Sequence, residues 1–141
     1  MTARARIQLS IMMFLQFFIW GAWSVPLSTY LFNVGFDGNE IGRAYSTTAW
    51  AAIISPFFVG MIADRFFSGE RVLGVLHILG GIILFGVARM TDPMQFFWAL
   101  LAYTVCYMPT LALVNAVSFH QMEDPGRQFP AIRVLGTIGW I

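Results

Sequence analysis

The sequence predicts an all-α membrane protein, and three observations carry that prediction. Only 11% of its 141 residues are charged while 58% are hydrophobic, against about a quarter charged in a soluble domain. The charges fall in short clusters and leave four charge-free runs, residues 7–36, 44–63, 72–88 and 93–122, of 30, 20, 17 and 30 residues. A helix needs roughly 20 apolar residues, and at least about 17, to cross the hydrocarbon. The runs also lack the two-residue alternation of barrel strands, and within lipid only helices or closed barrels satisfy every backbone group.

In chain order the predicted helices cover residues 9–32, 41–63, 72–88 and 93–119, with a fifth starting near Pro130; together they make residues 1–141 a partial N-terminal helical bundle. Arg4 and Arg6 precede the first run as they would in a secretory signal. A signal core is short, about 7–15 residues, whereas this run continues through Trp20, Trp23 and Phe32 and is read as a retained helix. Small residues recur in the spans: Gly21 and Ala22 in the first, Ala49, Ala51 and Ala52 in the second, Gly74, Gly80, Gly81 and Gly86 in the third. They let backbones approach closely where lipid offers no hydrophobic drive. Pro26, Pro56 and Pro109 lie inside helices one, two and four, where each removes a backbone donor and can kink its helix. After Arg133 the chain reads Val-Leu-Gly-Thr-Ile-Gly-Trp-Ile, two turns of a fifth span, so the chain is expected to be a fragment.

Turns near residues 35–40 and 91–93 are short, which forces neighbouring helices to run antiparallel. With the N-terminus in the cytoplasm, Arg4, Arg6, Arg65, Arg71, Arg127 and Arg133 lie inside and Arg43 and Arg89 outside. Six against two satisfies the positive-inside rule, and the opposite orientation reverses it.

Several function classes are disfavoured. A net charge of +1 gives no pull toward nucleic acid. The lone Cys106 cannot form an internal disulfide. His77 and His120 have no carboxylate or second histidine at ligand spacing, so neither a metal nor another cofactor is expected. No acid, histidine or cysteine constellation converges on one face, so the chain is not read as an enzyme. His77 reads as a hydrogen-bonded core histidine in preference to a proton relay. No Asp or Glu lies deep in a span, and proton coupling usually needs an intramembrane acid or histidine. A proton-coupling residue is therefore expected outside these 141 residues.

Two sets of motifs narrow the reading. The turn after the second helix runs Gly60-Met-Ile-Ala-Asp64-Arg65. On its own it could be an ordinary solvated turn. Its G-x-x-x-D-R core resembles the signature between the second and third helices of the major facilitator superfamily. That resemblance implies close packing at Gly60 and a conformational gate built from Gly60, Asp64 and Arg65. The basic part of the signature that follows is missing, with Phe67, Ser68 and Gly69 in its place.

Further stretches resemble the nucleoside:proton symporters within that superfamily. They are Phe-Leu-Gln-Phe-Phe-Ile-Trp-Gly-Ala-Trp at residues 14–23, Phe36-Asp37-Gly38 with Ile41-Gly42 and Tyr45-Ser46, Tyr107-Met-Pro109-Thr110 with Asn115, and Phe129 to Trp140. The likeness covers nearly the whole chain in the right order. It implies the N-terminal transmembrane helices of a twelve-helix carrier. Such a carrier is a monomer in the inner membrane lipid bilayer and imports a nucleoside with protons by alternating access.

The family's arginine, threonine and aromatic of the fifth helix map onto Arg133, Thr137 and Trp140. The spacing is physically reasonable by itself, since i, i+4 and i+7 share one helix face. A donor fork, a hydroxyl and a stacking plate match a flat base carrying a polyhydroxy sugar. Read without the resemblance, Arg133 could equally be an anchor at a helix end, and Trp140 a lipid-facing or core residue. Gln16, one turn before Trp20, either faces a substrate cavity or bonds across to a neighbouring helix. Tyr107, Thr110 and Asn115 pose the same choice, with interhelical bonding preferred. The competing readings are a major-facilitator carrier for another solute, such as a sugar or drug, and a non-transporting membrane scaffold.

Overall fold

The structure, a computed structural model, describes residues 1–65 and 68–141, with the side chains of residues 58, 59 and 62–64 outside the description. The described residues form α1 (Ala3–Val34), α2 (Gly38–Arg65), α3 (Gly69–Val87), α4 (Pro93–His120) and α5 (Pro125–Trp140). Pro26, Pro56 and Pro109 all lie inside helices that continue through them.

The ends of these helices follow from local sequence. Thr2 accepts the Ala5 amide on its hydroxyl oxygen at 3.1 Å and starts α1. Gly35, at φ 103°, stops it. The Gly35 amide reaches the Phe32 carbonyl at 3.1 Å and the Phe36 amide the Leu31 carbonyl at 3.0 Å. This is a Schellman closure with its apolar partners, Leu31 and Phe36, both buried. Asp37 then opens α2 reciprocally with Glu40. The Glu40 amide donates to Asp37 Oδ1 at 2.8 Å and the Asp37 amide to Glu40 Oε2 at 2.9 Å. Asp92 caps α4 through the Gln95 amide at 3.0 Å, with Pro93 as the first helical residue.

Helix α5 starts at Pro125, earlier than the position near Pro130 that hydrophobicity suggests. The polar Arg127 and Gln128 hide its first turn from an apolar-run search, while the Asp-Pro pair supplies the start. Among the described residues, α1, α3 and α4 are long and apolar enough to cross a membrane. In the first half of α2, a helix of 28 residues, three hydroxyls turn back on their own helix: Ser46 to the Arg43 carbonyl, Thr47 to Ala44 and Thr48 to Tyr45. Polar groups so satisfied remain compatible with lipid depth.

The chain forms two compact units, residues 1–28 with 114–141, and residues 29–113. In the first, Leu9 and Met13 of α1, Val114 and Val117 of α4, Met122 and Ile132 of α5 make a buried cluster. In the second, Phe36 meets Phe96 edge to face at 5.5 Å. There Thr104 donates to the Thr47 carbonyl at 3.3 Å, joining α4 to α2. Tyr30 donates its hydroxyl to the Ala88 carbonyl at 3.1 Å and so holds the end of α3.

Candidate functional site

The candidate site lies in the unit of residues 1–28 and 114–141, where α1 and α5 touch at backbone level. A Cβ added to Gly21 would stand 2.7 Å from the Trp140 carbonyl oxygen. One added to Gly139 would collide with the Phe14 carbonyl, and one on Gly136 would come within 2.7 Å of the Phe17 ring. Glycine is required at these three positions by neighbouring atoms, since the helical backbone itself tolerates any L residue there. The sequence pattern had placed Gly21 among the small residues of the first helix without saying which neighbour it meets.

Close approach brings the side chains of the two helices together. The Arg133 guanidinium lies over the Phe17 ring, 4.2 Å from its centre. Trp20 and Trp140 meet edge to face at 5.0 Å, and Phe17 lies 6.5 Å from Trp20. Gln16, beside Phe17 on α1, is 2% exposed. Trp140 keeps 38% of its surface exposed. Thr137 is exposed on the stripe between Arg133 and Trp140. The structure thus pairs Arg133 with Phe17 and Trp140 with Trp20, while Thr137 meets neither aromatic pair among the contacts described.

The depth of Arg133 bears on the two readings the sequence left open. It is the ninth residue of α5, about 12 Å from the helix start at 1.5 Å per residue. Its partner Phe17 is eleven residues past Arg6, about 16 Å along α1. A guanidinium there is level with the charge-free run of residues 7–36. Its Nη1 is buried and has no hydrogen-bond partner among the described residues. A buried charged donor left unsatisfied is costly, and the Phe17 face compensates only in part. Asn115 Oδ1 in α4, in the same unit, is also buried without a hydrogen-bond partner among the described residues.

Phe17 is the residue that sequence reasoning did not single out. The available signal was its i, i+3 relation to Trp20, but a cation–π partner on another helix leaves no trace in linear spacing. His77, half-buried in α3, lies edge to face with Tyr107 at 6.2 Å. Among the described residues no group of three histidines, cysteines or acids could hold a metal ion. A hollow in the other unit is lined by Glu40, Arg43, Trp50, Asp92 and Phe97. Its two carboxylates are already engaged at the starts of α2 and α4.

For the gating residues the view is partial. Arg65 is the last residue of α2 and is exposed. No described atom lies within 4 Å of a Cβ placed on Gly60, so the close packing implied there is not made within the described residues. The Asp64 side chain and Phe67 lie outside the described residues.

Comparison with known proteins gives the family and the fold. A family model described as "Nucleoside H+ symporter" matches residues 3–141. YegT of Escherichia coli strain K12, provisionally described as a nucleoside transporter, is 52% identical over 134 residues, which are 95% of this chain and 32% of YegT. The xanthosine permease of the same organism is 42% identical over 139 residues, 95% of this chain and 33% of the permease. The crystal structure of the nucleoside transporter NupG superposes with a TM-score of 0.92 at 39% identity, over 96% of this chain and 35% of NupG. The chain therefore spans about a third of the length of the relatives it matches. It is part of a multi-pass membrane protein with the helices of the major facilitator fold, and it belongs to the nucleoside H+ symporter family.

Proposed function

We propose that this chain supplies the N-terminal helices of a carrier that imports nucleosides together with protons by alternating access. The observation that carries the proposal is Arg133: a guanidinium deep along α5, stacked on Phe17, with Nη1 buried and without a hydrogen-bond partner among the described residues. In a transporter the substrate would supply acceptors to that donor. Arg133 would bind sugar hydroxyls or base carbonyls, Thr137 would add a hydroxyl, and Trp140 would stack on the base. Gln16, one residue from Phe17, would contribute its amide to the same substrate. Family membership and the xanthosine permease and NupG relatives support a nucleoside over a sugar or drug.

In this reading the substrate is moved and not chemically changed, so the protein is no enzyme. It resides as a monomer in the inner membrane with its N-terminus cytoplasmic, which is the orientation that puts six of eight arginines inside. Gly60, Asp64 and Arg65 would form part of the cytoplasmic gate, with charge contacts made in one state and broken in the other.

The test is uptake of labelled uridine, adenosine and xanthosine by cells expressing the full-length protein, with and without a proton uncoupler. Uptake of at least one nucleoside, abolished by the uncoupler, is expected. Arg133→Ala should remove uptake while the protein still reaches the membrane. Uptake indifferent to the uncoupler would refute proton coupling, and unaltered transport by Arg133→Ala would refute the site.

A further inference from the structure

The geometry points to Phe17 as a positioning residue for nucleoside recognition: its ring face holds the Arg133 guanidinium in its binding orientation, in space that only a glycine at 136 leaves open. The inference rests on the proposed role of Arg133 and extends it to a residue that no spacing in the sequence identifies.

Three observations converge on it. The guanidinium carbon lies 4.2 Å from the Phe17 ring centre, within the range of a cation–π contact. A Cβ on Gly136 would be 2.7 Å from the Phe17 ring and 2.8 Å from Arg133 Nη1, so any side chain at 136 would drive into the stack from between its two members. Nη1, buried on that side, has no hydrogen-bond partner among the described residues. The ring is therefore the group that steadies this edge of the guanidinium.

The consequence is preorganisation. Arginine has a long, rotamer-rich side chain whose ordering upon binding costs affinity. Stacked on Phe17, the fork is ordered before the nucleoside arrives. Phe17 also continues through Trp20 to Trp140 by ring contacts of 6.5 and 5.0 Å. The residue that would stack on the base and the residue that would bind its polar edge thus share one aromatic support.

The test separates the electrostatics of the ring from its bulk. Phenylalanines carrying one, two and three ring fluorines are placed at position 17 of the full-length transporter. Each fluorine weakens the negative ring face while scarcely altering volume, so folding is preserved. Nucleoside Kd is measured on purified protein and initial uptake in proteoliposomes. The logarithm of affinity should fall stepwise with fluorine number, by about three- to thirty-fold at three fluorines, equivalent to about 0.7–2 kcal/mol at 1.4 kcal/mol per tenfold. Phe17→Leu should fall as far, Phe17→Trp should stay near the parent, and Gly136→Ala should weaken binding by wedging the stack apart.

A flat fluorine series, with binding lost in Arg133→Ala, would overturn the role of Phe17 and leave the Arg133 site standing. Binding retained in Arg133→Ala would overturn the site and the role of Phe17 with it. Failure of the parent protein to bind any nucleoside would overturn both this inference and the function it rests on.

Discussion

Substituting Gly21 by alanine tests the contact on which the candidate site is built. The added Cβ would stand 2.7 Å from the Trp140 carbonyl oxygen, whereas ordinary contact starts at 3.4 Å, so about 0.7 Å must be found. The opposing atom belongs to the backbone of α5 and cannot rotate away as a side-chain tip would. Nor can α5 retreat locally, because Gly139 seats its own backbone against Phe14 and Phe18, with a Cβ there only 3.1 Å from the Phe14 carbonyl carbon and 3.2 Å from the Phe18 nitrogen. The two helices must separate as rods, at the cost of about 1–3 kcal/mol that overpacking carries. At about 2–4 °C per kcal/mol for a domain of this scale, the Tm should drop by roughly 2–12 °C. The control is Gly81→Ala, because no atom of the described residues lies within 4 Å of a Cβ at that position; it should leave the Tm unchanged or raise it slightly through helix propensity. The assay heats detergent-solubilised full-length protein and measures the monodisperse fraction remaining by fluorescence-detected size exclusion. If Gly21→Ala melts together with Gly81→Ala, the backbone-level seating of α1 on α5 is wrong.

Further predictions concern other elements. Asp37→Ala removes the Oδ1 that accepts the Glu40 amide, while the backbone amide that donates to Glu40 Oε2 remains, so the Tm should fall by an amount corresponding to about 0.5–2 kcal/mol; equal stability would refute the side-chain cap. Trp140→Leu deletes the edge-to-face pair with Trp20, worth about 0.5–1.5 kcal/mol beyond burial. It should also abolish most of the nucleoside-induced quenching of tryptophan fluorescence, and full quenching in the variant would place the base elsewhere. For orientation, Asn39→Cys at the exposed start of α2 should react with an impermeant maleimide added to intact cells, while the buried Cys106 stays unlabelled. Labelling only after permeabilisation would reverse the topology.

Helix number, order and type were legible in the sequence because a bilayer reads composition directly: charges cannot be scattered through a span, so their gaps outline the helices. Boundaries were less legible wherever polar residues are helical. Arg4 and Arg6 lie within α1, and Arg127 and Gln128 within α5, so the helices outrun their apolar windows. The cap residues Asp37 and Asp92 and the stop at Gly35 are strong local signals that mark these ends better than hydrophobicity does. At the site, the i, i+4, i+7 stripe of Arg133, Thr137 and Trp140 follows from helical period alone. What period cannot supply is the partner. That Gly136 makes room for Phe17, and that Trp20 meets Trp140, depends on the crossing of two helices more than a hundred residues apart in the chain.

This crossing also constrains how the carrier would move. Alternating access in such folds is largely rigid rocking of one bundle against another about a fixed site. A helix pair can slide only if side chains lie between the backbones to re-sort themselves. Between α1 and α5 there is no such layer at Gly21 and Gly139, where backbone faces backbone, and a shift along either axis would bring a larger neighbour onto a carbonyl. The pair must therefore travel as one body, carrying Arg133 and its Phe17 platform together through the cycle. Glycine at these positions then keeps the binding groups of one helix aligned with those of the other while access changes. It follows that crosslinking cysteines across the α1–α5 contact should leave transport intact, whereas a loss of transport would mean that these two helices slide past each other during the cycle.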